Sequence, residues 1–318
     1  MPTYLVTGGC GFIGSHLTEA LRRDGHAVRV LDNLSSGRAD NLAPGASLLR
    51  GDVRDPAAVR AAMEGVAGCF HLAAIASVEL GVRDWLGTHS VNLGGTITVL
   101  DAAARAGGVP VVYASSAAIY GEQATLPIRE DAPARPLSSY GADKLGSELH
   151  ARVAGAVHGV PSCGLRFFNV FGARQDPASP YSGVISVFAG RLARDEPVTI
   201  HGDGGQTRDF IHVSEVVAAL RAGLGAARRE APVYNVCSGQ AVSVRDLADT
   251  LARLAGSAAP IRHGPPRAGE IRHSLGEPTR ARAALGLGEP PTLEAGLASV
   301  LDWLRAGSPG LVDATAQA

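Results

Sequence analysis

Tyr4-Leu5-Val6-Thr7-Gly8-Gly9-Cys10-Gly11-Phe12-Ile13-Gly14-Ser15 decides the fold class of this chain. It begins with a short, apolar, β-prone run that is typical of a buried parallel strand. Gly8, Gly11 and Gly14 have the spacing GxxGxxG, and residues 15–21 have a helical pattern. Glycines allow a tight turn and let a pyrophosphate approach the backbone at the helix N-terminus, where free N–H groups favour anions. The stretch therefore predicts a strand, a dinucleotide-binding loop and a helix.

Asp32 lies at a position that discriminates between NAD and NADP. The second predicted strand, residues 27–31, ends in Asp32, about 20 residues after the glycines. A carboxylate at this position binds a ribose 2′-hydroxyl and repels a 2′-phosphate. NAD is therefore favoured over NADP, although the nearby Arg38 weakens that preference.

The third predicted strand, residues 48–53, has a polar end that suits an adenine base. We expect Asp52 to meet the adenine amino group and Val53 to pack on the ring. A structural alternative for Asp52 is the N-cap of a helix that starts at Pro56. The two roles are compatible, so both stay open at this point.

Strands and helices continue to alternate through the first half of the chain. Residues 68–74 predict a fourth strand that ends in small residues, which let a cofactor lie close at the switch point of a doubly wound sheet. A helix over 90–106 and a fifth strand over 109–116 follow. We therefore predict an α/β fold with a Rossmann-type, doubly wound parallel sheet.

The second half of the chain has a different organisation. Long loops replace regular β-α repeats, and loops on a rigid sheet usually set substrate specificity. We expect residues 1–165 to form the NAD-binding domain, with about 210–240 returning to it. Residues 166–305 then form mainly a smaller C-terminal α/β substrate-binding domain, and 306–318 a flexible tail.

Composition excludes several classes of protein. The chain has 318 residues, 46% of them hydrophobic, and a formal net charge of −1, which gives no argument for nucleic acid or an anionic membrane. It shows no signal peptide and no apolar run of the ~20 residues that span a bilayer. Four scattered cysteines and ten histidines lack metal-ligand spacing. We expect a cytoplasmic protein with free thiols and no metal.

Tyr140 and Lys144 carry the strongest chemical signal. Their i, i+4 spacing on a predicted helix places the phenol and the ammonium on one face. A tyrosine titrates near pH ~10, and an adjacent cation lowers that pKa, so the phenol becomes an acid–base group at neutral pH. Ser115 and Ser116 end the fifth strand, at the edge where ligands bind open α/β sheets. Serine and tyrosine are therefore expected to converge over a nicotinamide.

The chain resembles the extended short-chain dehydrogenases/reductases, and among them the UDP-sugar 4-epimerases, from about residue 3 to residue 304. The motifs that carry this resemblance are Thr-Gly-Gly-Cys-Gly-Phe-Ile-Gly-Ser (7–15), Asp-Asn-Leu (32–34), Gly-Asp-Val (51–53), Ser-Ser-Ala-Ala-Ile-Tyr-Gly (115–121), Tyr-Gly-Ala-Asp-Lys (140–144), Arg-Phe-Phe-Asn-Val-Phe-Gly (166–172), Gly-Asp-Gly-Gly-Gln-Thr-Arg-Asp-Phe-Ile-His-Val (202–213) and Arg-Ala-Gly-Glu (267–270).

The resemblance implies a set of site residues. Ser116, Tyr140 and Lys144 carry the chemistry on tightly bound NAD. The cofactor set comprises Gly8, Gly11, Phe12, Ile13, Gly14, Asp32, Asn33, Asp52, Val53, Leu72, Ala73, Ala74, Asn92, Ser115, Tyr140, Lys144 and Phe167. The substrate set comprises Ser116, Tyr140, Asn169, Arg208, Arg267, Glu270 and Ser274.

Arginines suit a diphosphate because a guanidinium offers forked, permanently charged donors. The resemblance implies that Asn169, Arg208 and Arg267 hold the nucleoside diphosphate. The structural alternative for Arg208 is an ion pair with Asp209 or Glu215, and for Arg267 a pair with Glu270.

Two alanines separate the related activities. Dehydratases of this kind carry Asp-Glu after the active-site hydroxyl residue, where this chain has Ala117 and Ala118. Methyl groups cannot transfer protons, so elimination lacks its catalyst. A 4-epimerase needs no such pair: Tyr140 takes the C4 hydroxyl proton, the 4-keto sugar turns its other face, and NAD is regenerated.

The sugar is predicted from one position. The resemblance implies that a residue shortly after the Arg-Ala-Gly-Glu motif limits the room near the C2 substituent of the sugar; here that residue is Ser274, and a small residue admits an N-acetyl group. We predict interconversion of UDP-GlcNAc and UDP-GalNAc, alongside UDP-Glc and UDP-Gal. A UDP-glucuronate 4-epimerase is the main alternative, and a non-catalytic NAD-binding protein is an alternative of another class. The family resemblance also implies a homodimer built from the helices near 90–106 and 140–158.

Overall fold

The computed structural model describes residues 1–76, 78–177, 183–267 and 271–307. Its strands are β1 Thr3–Thr7, β2 Ala27–Asp32, β3 Ser47–Arg50, β4 Gly68–His71, β5 Val111–Ser116, β6 Ser162–Phe167, β7 Asn169–Phe171, β8 Val198–His201, β9 Thr207–His212, β10 Val233–Val236, β11 Ala241–Ser243 and β12 Ile261–Gly264.

Its helices are α1 Phe12–Arg23, α2 Pro56–Met63, α3 Val78–Arg83, α4 Trp85–His89, α5 Gly95–Arg105, α6 Ser139–His158, α7 Val184–Leu192, α8 Val213–Ala226, α9 Val244–Ala255, α10 Thr279–Leu285 and α11 Leu293–Arg305. A π-helical turn, Ser90–Gly94, joins α4 to α5, and a 3₁₀ turn, Ala117–Ile119, follows β5.

A seven-stranded sheet dominates the chain. Its order is β10-β6-β5-β4-β1-β2-β3, and every neighbouring pair is parallel. The order reverses between β1 and β4, which is the topological switch point of a doubly wound sheet. The Rossmann-type α/β prediction is confirmed.

Helices cover both faces of this sheet because its strands are apolar on both sides. Leu17 of α1 and Leu220 of α8 pack on one face, and Val59 of α2 and Val99 of α5 pack on the other. All four side chains are fully buried. These layers hold the carboxyl ends of the strands in fixed positions.

Two smaller sheets follow along the chain. One has the order β11-β9-β7, and the other pairs β12 with β8. Phe188 of α7, Leu251 of α9 and Leu297 of α11 share a separate buried cluster with Ile200 of β8. This second core holds β7 and β9 beside the large sheet.

Three predicted boundaries and one predicted cap differ from the structure. β3 ends at Arg50 and β4 at His71, before the polar and small residues that were included in the predicted strands. The helix expected over 90–106 is interrupted by the π-helical turn. The N-cap of α2 is Asp55, whose carboxylate accepts from the Ala57 N–H at 2.8 Å. Asp52 was therefore wrong as the cap.

Among the helices in the described part of the chain, none combines the length and the apolar character that a membrane span requires.

Candidate active site

The glycine-rich loop is closed by contacts that no larger residue allows. Gly8 has φ +71°, and a Cβ on it would lie 2.7 Å from the Ala73 nitrogen. A Cβ on Gly14 would overlap the Gly8 carbonyl oxygen and approach Gly9 Cα to 2.8 Å. Gly11 caps α1 without a side chain, so the first-turn N–H groups of that helix are left for another acceptor. The loop forms a cradle of main-chain donors between β1 and α1.

Asp32 ties this cradle to the loop after β2. One carboxylate oxygen accepts from the Cys10 N–H at 2.9 Å, and the other accepts from the Leu34 N–H at 2.8 Å. Arg38 lies at the same place, because its N–H donates to the Cys10 carbonyl at 3.0 Å. The Arg38 Nε is buried and has no hydrogen-bond partner among the described residues.

The residues expected to bind the adenine base include an ion pair. Asp52 accepts from Asn33 Nδ2 at 2.9 Å and from two guanidinium nitrogens of Arg54 at 2.9 and 2.8 Å. These donors hold the pKa of Asp52 far below its usual range. Val53 is buried and touches the position where a Gly95 Cβ would stand. The Arg54 pairing is a feature that the sequence analysis missed.

Asn92 fixes the segment that follows β4. It lies in the π-helical turn, is 1% exposed, and both accepts from the Ile75 N–H at 2.8 Å and donates to the Ile75 carbonyl at 3.1 Å. The N–H groups of Leu72 and Ala73 point to the Thr7 hydroxyl. Ala74 is half-buried in the same segment. The segment thereby lies next to the glycine loop.

Ser116, Tyr140 and Lys144 lie together at the carboxyl end of β5. The Ser116 hydroxyl accepts from the Ala118 N–H at 3.1 Å and is hydrogen-bonded to Tyr140. The Lys144 ammonium lies 5.7 Å from the centroid of the Tyr140 ring and donates to the Ala114 carbonyl at 2.9 Å. Ser138 caps α6 through its hydroxyl, so Tyr140 is in the first turn of the helix.

The electrostatics differ from the expectation. Burial raises the pKa of Tyr140, and the hydrogen bond with Ser116 lowers it by less. The expected lowering of the Tyr140 pKa is wrong for this structure, because desolvation of the phenolate is the largest influence on it. Burial also lowers the pKa of Lys144 to about 8, while the Asp143 carboxylate raises it. Lys144 is thus mostly protonated at neutral pH.

Ser115 makes a contact that the prediction did not include. Its hydroxyl donates to Glu148 at 2.5 Å, and the residue is 1% exposed. Successive residues of a strand point to opposite faces, which separates it from Ser116. The Ser115 side chain therefore belongs to a buried polar network, and its contact with the cofactor stays a prediction. Phe167, at the end of β6, is 8% exposed.

The sequence analysis missed this network as a unit. Arg166 donates to both carboxylate oxygens of Glu148, at 2.8 and 2.7 Å, and to the Tyr120 hydroxyl at 2.7 Å. Tyr120 donates to Asn235 at 2.6 Å, whose N–H in turn donates to Glu130. A charged residue inside a six-residue buried strand was the available signal.

The expected substrate residues gather around β9. Asn169 donates to the Asp209 carbonyl at 3.0 Å, Arg208 donates to the Thr207 carbonyl at 2.9 Å, and the Ser274 N–H donates to that same carbonyl at 3.1 Å. The predicted Asn169, Arg208 and Ser274 are therefore neighbours in space, although they are far apart in the chain.

Both structural alternatives for the arginines stay predictions. The Asp209 carboxylate accepts from main-chain N–H groups of Ser238, Gly239 and Gly276, at 2.7, 3.0 and 3.2 Å. It therefore holds two loops in place. Arg267 is exposed, and its proposed partner Glu270 lies outside the described residues.

The cysteines are free, buried thiols, and burial raises the pKa of Cys10 to about 11. Within the described ranges no group of three or more His, Cys, Asp or Glu side chains is arranged to hold a metal ion.

Sequence comparison gives one family for most of the chain. A sequence model described as the NAD dependent epimerase/dehydratase family matches residues 4–237. The UDP-glucose 4-epimerase of Mycolicibacterium smegmatis is 36% identical over 311 residues, which cover 95% of this chain and 98% of that enzyme.

Solved structures agree with that assignment. The UDP-glucose 4-epimerase of Thermotoga maritima, solved with UDP-glucose, superimposes with a TM-score of 0.90 at 34% identity, over 96% of this chain and 99% of that one. The UDP-N-acetylglucosamine 4-epimerase of Methanobrevibacter ruminantium M1, solved with UDP-N-acetylmuramic acid, superimposes with a TM-score of 0.91 at 32% identity over the same shares.

Proposed function

Because the chain belongs to the NAD dependent epimerase/dehydratase family, we propose that it inverts C4 of a UDP-hexose, with NAD as its cofactor. The observation that carries the proposal is the convergence of Ser116, Tyr140 and Lys144 beside Ala117 and Ala118 at one strand end. That set supplies an acid–base group for a hydroxyl and lacks the carboxylates that an elimination needs.

The residues present fit NAD. A side chain at Gly8 or Gly14 would collide with the backbone of Ala73 or of Gly8 and Gly9, so the glycines let the loop and α1 pack closely enough to present main-chain donors to a pyrophosphate. Asp32 lies where a ribose hydroxyl is expected, and the Asp52–Val53 corner suits an adenine. We propose that these residues, with Asn33, Leu72, Ala73, Ala74 and Asn92, hold the cofactor. When bound, NAD supplies the acceptor and the donor for the C4 hydride.

The protein's own groups handle the proton and the orientation. Tyr140, as the phenolate, receives the proton of the C4 hydroxyl and later returns it to the same oxygen, after the 4-keto sugar has turned its other face. Ser116 shares a hydrogen bond with Tyr140 and orients the same oxygen. Protonated Lys144, 5.7 Å from the centre of the Tyr140 ring, stabilises the phenolate that burial disfavours.

Ala117 and Ala118 restrict the reaction class. They form the 3₁₀ turn directly after Ser116, where a carboxylic acid would face the same part of the substrate. Their methyl groups cannot donate or accept a proton, which supports epimerisation over loss of water.

The substrate is held by β9 and its neighbours in this proposal. Arg208 supplies a forked cation to the diphosphate, Asn169 supplies an amide, and Arg267 adds a second cation from an exposed position. The half-buried Ser274 lies beside Thr207 and leaves room for a C2 substituent. We therefore propose UDP-GlcNAc and UDP-GalNAc as substrates alongside UDP-Glc and UDP-Gal.

Exposed apolar side chains support the proposal of a homodimer. Leu149, Val153 and Val157 of α6 are 52%, 52% and 68% exposed, and Ile97 of α5 is 39% exposed. The i, i+4, i+8 spacing puts the three α6 residues on one helical face. A contiguous apolar face of this kind marks an interaction surface, and a second copy of the chain satisfies it by two-fold symmetry.

The test is incubation of the purified protein with UDP-GlcNAc, UDP-Glc or UDP-glucuronate, followed by proton NMR of the anomeric region. We expect the UDP-GalNAc signal to appear, and we expect Tyr140→Phe to lose it while binding NAD normally. Turnover of UDP-Glc or UDP-glucuronate alone would overturn the assignment of Ser274 and keep the epimerase mechanism. Inversion of none of them would point to a non-catalytic protein.

A further inference from the structure

His71 is a buried histidine that the proposed mechanism does not use. It ends β4, directly before Leu72 and Ala73, and it is 4% exposed. Its Nδ1 lies 2.8 Å from the hydroxyl of Thr7 at the end of β1, and its Nε2 lies 3.1 Å from the hydroxyl of Thr96 on α5. The imidazole therefore joins the strand that leads into the glycine loop to the helix that follows the π-helical turn.

The hydrogen bonds around this imidazole locate its proton. The Thr96 hydroxyl donates to the Asn92 carbonyl at 2.6 Å, so toward His71 it is an acceptor, and Nε2 is the donor. In the neutral ring Nδ1 then carries a lone pair, which accepts from the Thr7 hydroxyl. The Thr7 oxygen in turn accepts from the N–H groups of the two residues after His71, at 3.2 and 3.3 Å. Each proton in this chain of bonds has an acceptor.

The surroundings of the ring favour this neutral form. Thr7 and Thr96 are 0% and 3% exposed, so both partners of the imidazole are buried with it. Burial, and then the charge of Lys144, lower the pKa of His71 to about 3. An imidazolium would present two N–H donors, and the Thr7 hydroxyl would lose its acceptor on the ring. The neutral ring with its proton on Nε2 is the form that satisfies both hydroxyls.

A further hydroxyl connects the same group to α6. Ser147 is 1% exposed and lies about two helical turns after Tyr140. Its oxygen lies 3.2 Å from the Thr96 hydroxyl, and it donates to the Asp143 carbonyl at 2.9 Å. The hydroxyl that accepts from His71 therefore also contacts the helix that carries the acid–base group.

The segment after His71 packs directly against the glycine loop. A Cβ on Gly8 would lie 2.7 Å from the Ala73 nitrogen, so the two backbones are in contact. Asn92, whose carbonyl accepts from Thr96, holds the same segment through its side-chain amide. The imidazole therefore fixes the spacing between the end of β1, the segment after β4 and the π-helical turn.

We propose that His71, as a neutral imidazole with its proton on Nε2, is a positioning residue that holds the segment after β4 and the π-helical turn at the spacing that binds NAD. The effect on binding rests on the cofactor site of the proposed function. The position of the proton does not, because it follows from the hydrogen bonds of the folded protein.

The proton can be located directly. In protein labelled with ¹⁵N-histidine, long-range proton–nitrogen correlation spectra distinguish the two neutral tautomers from each other and from the charged ring. The signals that His71→Asn removes identify His71. We expect the Nε2–H tautomer, unchanged as the pH falls from about 8 to about 5, because the ring titrates below that range. A proton on Nδ1, or a charged ring in that range, would overturn the proposal.

The release of NAD from the holoprotein tests the positioning role. His71→Phe keeps a buried ring but removes both hydrogen bonds. We expect NAD to leave this variant about tenfold faster, measured by exchange with labelled NAD. Thr96→Val removes the acceptor of Nε2 with little change of shape, and it should accelerate release in the same way. This second variant decides the question if His71→Phe does not fold.

His263→Phe is the matched control. His263 is an exposed histidine of β12 that is hydrogen-bonded to the Gly202 carbonyl at 2.8 Å, and β12 pairs with β8 outside the large sheet. The release of NAD from this variant should equal that of the wild type.

The outcomes separate a positioning role from a merely structural one. A structural role would lower the melting temperature of the variants and leave their NAD release rate unchanged. That result in both His71→Phe and Thr96→Val would overturn the proposal. Faster release in the variants of a protein that converts no UDP-sugar would support the role of His71 and refute the epimerase function.

Discussion

Tyr140, Lys144 and Ser116 show how neighbouring atoms set the chemistry of a side chain. Burial opposes the charged form of both the phenol and the amine, so each group is pushed toward neutrality. In the proposed reaction, the proton leaving the substrate needs an anionic acceptor, the Tyr140 phenolate, which becomes a neutral phenol when it takes the proton. The pair is therefore worth more than either group alone, because the protonated Lys144 stabilises the phenolate that burial disfavours.

Ser274 provides a test at a single substrate contact. We expect Ser274→Tyr to lower kcat/KM for UDP-GlcNAc on the order of 100-fold relative to UDP-Glc, because a phenol ring fills the space proposed for the N-acetyl group. Steady-state rates with both sugars measure the ratio. Equal losses of kcat/KM for the two substrates would show that Ser274 does not discriminate between them.

Gly14 provides a test of the cofactor cradle. In Gly14→Ala the new methyl group would overlap the Gly8 carbonyl oxygen, so α1 and the loop must separate. We expect NAD affinity to fall at least about tenfold, measured by fluorescence titration. Gly225→Ala in α8 is the matched control, since a Cβ there has no atom within 4 Å, and it should stabilise the protein by about 0.5–1 kcal/mol. Unchanged NAD affinity in Gly14→Ala would contradict the cradle.

Spacing alone could predict which reactive residues lie together but not their surroundings. Tyr140 and Lys144 are one helical turn apart, and Ser116 ends a parallel strand, so their convergence follows from geometry. The direction of the Tyr140 pKa depends on atoms packed over the hydroxyl from other elements. Which of two adjacent serines faces the site depends on the register of β5, which the sequence did not determine.

The helix α6 is joined to the sheet by charge as well as by apolar packing. Glu148 on α6 and Arg166 on β6 form a bidentate pair with both side chains 8% exposed. Ser115 on β5 and Tyr120 beyond the 3₁₀ turn bond to the same pair. The pair therefore sets the distance between the helix that carries Tyr140 and the strand that carries Ser116.

Glu148→Gln tests this connection between elements. The variant leaves a buried guanidinium without its counter-charge, which costs about 3–5 kcal/mol when a buried pair is broken. We expect a lower denaturant midpoint and a loss of epimerase rate, because Ser116 and Tyr140 no longer keep their spacing. The double variant Glu148→Met/Arg166→Met should recover part of the stability, since it buries no unpaired charge. A double variant no more stable than Glu148→Gln would argue against a pairwise role.

The π-helical turn shows what local pattern reasoning cannot find. Residues 90–106 have a continuous helical pattern, and nothing in their periodicity marks a break. The turn lies where Asn92 bonds both main-chain groups of Ile75, a contact between segments that the chain brings together only after folding. Such turns are frequent at functional sites. Tertiary contacts, not propensity, decide that feature.

The molecule as a whole combines a seven-stranded parallel sheet with two smaller sheets. The fold could be predicted from the sequence because a glycine-rich loop after the first strand, followed by alternating strands and helices, is typical of a doubly wound parallel sheet. The smaller sheets could not, since β7, β9 and β11 are three to six residues long and pair across long loops. Asp209 is central there, because it holds the loops after β10 and before α10 against β9.

The exposed face of α6 gives the last prediction, which concerns assembly. Leu149→Glu/Val153→Glu places two charges on the apolar face proposed to pair with its copy. Both side chains are half exposed in the single chain, so the fold tolerates the change, whereas two buried like-charged pairs across a two-fold axis do not. We expect wild-type protein to elute as a dimer and the variant as a monomer in light-scattering chromatography. The melting temperature of the wild type should also rise with protein concentration, and that of the variant should not.

Leu49→Glu, on the exposed edge strand β3, is the matched control and should remain dimeric. A variant that stays dimeric would place the interface elsewhere, and a monomeric wild type would contradict the proposed dimer, since the apolar face of α6 would then have no partner copy.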